Sequence, residues 1–166
     1  MSVFKKVGDW VKANILMKKL PKHIFQASMV GLDAVGGWYA QEVQKGIISQ
    51  APGGKPFRPL SPMTIAARKR KRGKPSTKAL IDTADLMNSM THKMGKKSVF
   101  IGLLRTAMHK ESGLPTANLG SVHEYGTANG RIPARPFIGP ISRSKSLRRR
   151  AKKVFANAVR SQGVSA

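Results

Sequence analysis

The chain has 166 residues, long enough for one domain with a hydrophobic core and short for two. It contains no cysteine, which excludes disulfide staples, thiolate nucleophiles and cysteine-based zinc sites. Its 31 lysines and arginines against 7 acidic residues give a formal charge of +24. A compact chain so charged repels itself and calls for an anionic neighbour: nucleic acid, an acidic protein or a membrane face.

From the N-terminus, Val3, Phe4, Val7, Trp10, Val11 and Leu16 recur at helical spacing among lysines. The segment reads as a short basic amphipathic helix, with residues 1–20 as an arm. Lys5, Lys6, Asp9 and Lys12 interrupt any apolar run, so it is expected neither to be a secretory signal nor to span a membrane. Production in the cytoplasm is expected. Pro21 opens a longer helix to about residue 48, with Phe25, Met29, Leu32, Gly36, Tyr39, Val43 and Ile47 as its core stripe. Gly36 and Gly37 in mid-helix suggest close approach by another element. The run from Ala51 to Gly54 ends the helix.

Residues 55–78 carry nine cations and no acid. Ser61 before Pro62 is a helix start, a capping hydroxyl followed by a proline at the first helical position, and the short helix runs to about 71. Residues 73–76 form a turn. Thr83 or Asp82 caps another short helix bearing Leu86, Met87 and Met90. Val99, Ile101 and Leu103 alternate as a strand, with a weaker partner at 91–96 and a turn at Gly95 to Lys97. Residues 105–119 read as a long loop, and 122–125 as a third strand. Two prolines keep 132–139 extended. Residues 141–160 form an amphipathic, strongly basic helix, and 163–166 a tail. The architecture expected is α+β: a long N-terminal helix and a C-terminal helix on a small antiparallel sheet, one domain over 21–162, with the arm and the loop serving assembly.

Convergent chemistry is sparse. Asp82 and Asp85 suit a helix start, and the histidines at 23, 92, 109 and 123 show no metal-ligand spacing. No nucleophile elbow or phosphate loop is present, so no enzyme and no cofactor are expected. The basic clusters carry the meaning instead: Arg68, Lys69, Arg70, Lys71, Arg72 and Lys74, then Arg148, Arg149, Arg150, Lys152 and Lys153. Few aromatics interleave with them, so contact with nucleic acid would be to the backbone, without base stacking.

Three stretches resemble a family of tailed-phage proteins, the HK97 gp10-like and virion-morphogenesis proteins, which include tail-completion and head-tail joining proteins. They are KPFRPLSPMTIAARK at 55–69, ALIDTADLMNSM at 79–90, and VHEYGTANGRIPARPFIGP at 122–140. Ala84 departs from the glycine frequent in the second, which puts a tight turn there in question. The resemblance implies a structural virion protein, a subunit of a ring in the neck or at the top of the tail. It implies six copies, with twelve the alternative, and contact with portal, adaptor or tail proteins; from the residues themselves no membrane partner is expected. His123, Tyr125, Gly126, Pro133, Arg135, Pro136 and Phe137 would form a structural or interface junction, with Phe137 as a core anchor and Arg135 offering a forked contact to a carboxylate or carbonyl. The competing reading is a stand-alone basic protein bound to the phosphate backbone.

Overall fold

The computed structural model describes residues 10–73 and 76–163. Helix α1, Trp10–Ile48, runs without interruption for 39 residues, about 58 Å at 1.5 Å per residue. The expected division into an arm and a separate helix opening at Pro21 is therefore corrected: Pro21 lies inside α1. Its missing N–H removes one backbone bond, and the flanking turns are exposed, so water can satisfy the freed carbonyl. Residues 1–9 of the expected arm lie outside the described residues.

The core gathers on the C-terminal half of α1. Val43 and Ile47 are buried with Ala79, Leu80, Leu86, Met90, Phe137 and Ile141. Upstream, the buried face is made of small residues, Ala27, Gly31, Gly36 and Ala40, whereas Phe25 of the expected stripe is exposed. Small residues admit close neighbours. A Cβ on Gly36 would lie 2.6 Å from the Val99 side chain and 2.9 Å from the His92 ring, and one on Gly31 would lie 2.6 Å from the Phe155 ring.

Past the 3-10 turn Pro52–Gly54, helix α2 spans Pro62–Arg72, and the Ser61 hydroxyl accepts from the Thr64 N–H at 3.2 Å. Helix α3 is a single turn, Asp85–Asn88. Its cap is neither Thr83 nor Asp82 but Ala84, which takes a left-handed φ of 63° and offers no capping side chain. The tight turn thus survives the absence of glycine.

Strands β1, Met90–Met94, and β2, Val99–Leu103, pair antiparallel with Met90 opposite Leu103 and His92 opposite Ile101. The Gly95 N–H donates to Ser98 O at 2.8 Å to close the turn. By alternation, Met90, His92, Met94, Val99, Ile101 and Leu103 share the face that meets α1. His92 Nε2 reaches Asp33 on that helix at 3.0 Å.

Two expectations fail next. Residues 122–125 are not a strand but the end of helix α4, Thr116–Tyr125, and the long loop stops at Pro115. Gly120 accounts for the placement, because a Cβ there would run into Leu103, so α4 sits directly against β2. The loop itself is tied down: the buried Thr116 bonds Ala107 O through both its N–H, at 2.8 Å, and its hydroxyl, at 3.1 Å. The C-terminal helix is also divided, into α5, Gly139–Arg143, and α6, Lys145–Arg160. Ser144, extended at ψ 118°, breaks the first and caps the second, its hydroxyl accepting from the Leu147 N–H. Helix α6 packs along α1 with the Leu147, Ala151, Val154, Phe155 face turned inward. The fold is α+β: α1 packs against the two-stranded sheet, and α6 lies along α1.

Candidate functional site

The junction between α4 and α5 is built around one carboxylate. Glu124 accepts three consecutive backbone N–H groups, from Phe137 at 2.8 Å, Ile138 at 3.0 Å and Gly139 at 2.8 Å. Gly139 must lack a side chain, since a Cβ would stand 2.8 Å from the Glu124 carboxylate. The clamp delivers Phe137 into the core, where it is fully buried.

Between these points the chain loops out and returns. Gly126 turns at φ 79°, with Ala134 N and Ile132 O both 3.0 Å from where a Cβ would be. Thr127 bonds Ile132 twice, by its own N–H to the Ile132 carbonyl and by its hydroxyl oxygen accepting from the Ile132 N–H. The Arg135 N–H then donates to His123 O at 2.7 Å. Tyr125 and Pro136 face solvent, while Pro133 is half-buried.

Arg135 is buried, and its guanidinium donates from Nε to Arg58 O at 2.9 Å and from Nη2 to Pro59 O at 3.0 Å. The forked contact anticipated for it exists, with two carbonyls rather than a carboxylate. It ties the 122–140 stretch to the 55–69 stretch, two segments that are far apart in sequence. Burial lowers the Arg135 pKa, and Arg58 and Arg68 push it the same way. Burial likewise lowers that of His123, helped by Arg135 and Arg68, and His123 Nδ1 has no hydrogen-bond partner among the described residues. These groups line a cleft of about 650 Å³ that also includes Thr64, Asp82 and His109.

The first basic cluster is only partly a free surface. Arg68 is turned inward, with Nη1 donating to Ser76 O at 2.8 Å and Lys78 O at 2.9 Å, and Nε 3.5 Å from Asp82. Lys71 pairs with Glu111 at 2.8 Å. Lys69 and Arg70 are exposed, and Lys74 lies outside the described residues. Along α6, Arg148, Arg149, Arg150, Lys152 and Lys153 are all exposed; Arg148 also bonds Ser142 O, and Arg150 sits 5.8 Å over the Trp38 ring. The two clusters stand on separate elements, α2 tied to residues 76–82 and α6 lying along α1.

The family model described as the phage virion morphogenesis family matches residues 10–158, nearly the whole described chain. The chain belongs to the phage virion morphogenesis family. No curated protein and no solved structure matches it. Membership makes it a structural or assembly component of a bacteriophage virion. Among the described residues no helix is long and apolar enough to cross a membrane, and no three His, Asp or Glu side chains converge as a metal site.

For a virion morphogenesis protein the internal ties matter as much as the exposed cations, and sequence reasoning missed two of them. A strand over 122–125 gives Glu124 no role; that it is the last acidic residue of the chain, two positions before a glycine turn, is its available signal. Arg68 stands in a run of five cations, which gives no hint which one points inward.

Proposed function

We propose that the chain is a subunit of a homo-oligomeric ring in the neck or at the top of the phage tail. There it completes the tail or joins it to the head and surrounds the DNA channel. Six copies are expected, with twelve the alternative. Its neighbours would be further copies, portal or adaptor proteins, and tail proteins.

The observation that carries this reading is the exposed cationic face of α6 on a chain of a virion assembly family. A face of five cations on one helix requires anionic matter close by in the particle, either packaged DNA or an acidic ring. The junction of Glu124 and Arg135 supports a structural role, since both groups are spent on backbone atoms and hold segments in register. Like subunits meeting head to tail close into rings when the rotation allows, and a neck demands closure around an axis. No reaction is assigned to the chain.

The test is the mass of the purified chain by light scattering in high salt after nuclease treatment. A discrete mass of six or twelve subunits is expected. A monomer that associates only on adding DNA would favour the stand-alone nucleic-acid-binding reading. A monomer that closes into a ring on a purified tail or head would keep the ring reading.

A further inference from the structure

Four arginines, Arg58, Arg68, Arg131 and Arg135, line the cleft of about 650 Å³, against two carboxylates, Asp82 and Asp85. Both carboxylates face cations of their own: Asp82 lies 3.5 Å from Arg68, and Asp85 lies 3.8 Å from His109. Arg135 is buried, and among the described residues its guanidinium meets only the carbonyls of Arg58 and Pro59. Arg58 and Arg131 are exposed, and no carboxylate among the described residues pairs with either of them or with Arg135. Arg58 and Arg68 act on Arg135 as like charges, so the guanidinium groups are gathered rather than scattered. Beside them, His123 Nδ1 is shut off from solvent without a hydrogen-bond partner among the described residues. Buried positive charge without a counter-charge is costly, and a concave site that holds more of it than its own carboxylates offset calls for an anion from outside.

We infer that this cleft is a binding site for a carboxylate carried on an acidic, partly apolar peptide segment of another protein in the particle. The inference goes beyond the ring reading and shares with it only the setting of an assembled virion. The guanidinium groups select the carboxylate, whose planar pair of oxygens matches their forked donors. The walls select a peptide: Leu60, Leu119 and Ile132 stand beside the arginines, and apolar side chains flanking the acid would cover them. Duplex DNA is too broad to enter a cleft of this size and offers nothing to those walls. The chain itself has 7 acidic residues against 31 lysines and arginines, so another protein is the richer source of such a segment.

The experiment uses the full chain and a fluorescein-labelled peptide of alternating leucine and glutamate, read by anisotropy. A peptide of leucine and glutamine is the control. The cleft variant is Arg58→Gln/Arg131→Gln. Neither side chain makes a hydrogen bond among the described residues, and Arg58 keeps the carbonyl that holds Arg135, so the variant should melt at the wild-type temperature. Arg149→Gln/Lys152→Gln removes the same charge from α6, outside the cleft, and measures the general attraction of a cationic protein for an acidic peptide.

The glutamate peptide is expected to bind about tenfold tighter than the glutamine peptide. The cleft variant should lose about tenfold in affinity and the α6 variant less than about threefold. The NMR signals of the His123 ring should move as the peptide saturates the protein.

Equal weakening by the two variants would overturn the inference, since the peptide would then answer only to net charge. Saturation with the His123 signals unmoved would overturn it too. A duplex that displaces the peptide from the wild type, and binds the cleft variant as weakly as the peptide does, would assign the arginines to nucleic acid instead. Self-association of the wild type that the cleft variant abolishes would make a second copy the occupant and overturn the assignment to another protein. Loss of the cleft-dependent binding with the ring mass intact removes this contact alone, whereas a failed ring mass with that binding retained removes only the ring.

Discussion

Ala84 opens α3 in the left-handed region at φ 63°, a conformation that costs an L-residue about 1–2 kcal/mol through its Cβ. Glycine would remove that strain at the expense of extra freedom in the unfolded chain, worth about 0.5–1 kcal/mol. Ala84→Gly should therefore stabilise the fold by about 0.5 kcal/mol, read as a higher urea midpoint with unchanged slope. The opposite sign holds for Glu124. Glutamine in its place keeps one acceptor and turns an amide toward three N–H donors, so Glu124→Gln should cost about 2 kcal/mol in the same measurement. His123 gives a pH dependence. Its folded pKa lies below the ordinary 6.5 because burial and Arg135 disfavour the charged ring. Between the folded value and 6.5 the unfolded chain binds more protons, so this contribution is full above 6.5 and falls as pH drops through that window. Urea unfolding at pH 7.5 and at successively lower pH should show the loss, and a His123→Gln variant should show less of it.

At the scale of elements, glycine positions on α1 decide the packing. Replacing a mid-helix glycine by alanine gains about 1 kcal/mol of helix propensity. At Gly31 the new Cβ would stand 2.6 Å from the Phe155 ring, so α6 must shift. Gly31→Ala is expected to destabilise the chain by about 1 kcal/mol net, seen as a lower midpoint in thermal unfolding, where propensity alone would raise it. That Gly36 is a point of close approach was legible in sequence, because glycine inside a strong helical stripe needs a reason. The Ser61 cap and the β1–β2 hairpin were legible as well, each carrying its own local chemistry. Helix α4 was not. Its four residues 122–125 are too few to separate a period of 2 from 3.6, and its start at Thr116 follows Pro115 without a capping side chain. Pro21 misled in the other direction, since one lost hydrogen bond is small beside the continuity of a 39-residue helix. The junction was half legible. Proline spacing and Phe137 marked an extended entry to the last helices, but the carboxylate that holds it belongs to α4, and only the fold brings Glu124 to residues 137–139.

For the whole molecule the question is what the charge of +24 faces, and salt separates the answers. Backbone contact with duplex DNA releases counterions, so the logarithm of the binding constant falls against the logarithm of salt with a slope of about −0.9 per phosphate neutralised. Arg149, Lys152 and Lys153 on α6 are exposed, while Arg148 bonds Ser142 O and Arg150 lies over Trp38. Changing those three to glutamine removes charge without disturbing either contact. If α6 faces DNA, the triple variant should bind a duplex with a slope shallower by about 2.7, measured by fluorescence titration across salt concentrations, and should unfold at the wild-type midpoint. An unchanged slope would turn the α6 face toward an acidic protein ring instead. The ring mass of the same variant then becomes the informative quantity: neighbours held through α6 would part, whereas a ring closed through other surfaces would persist.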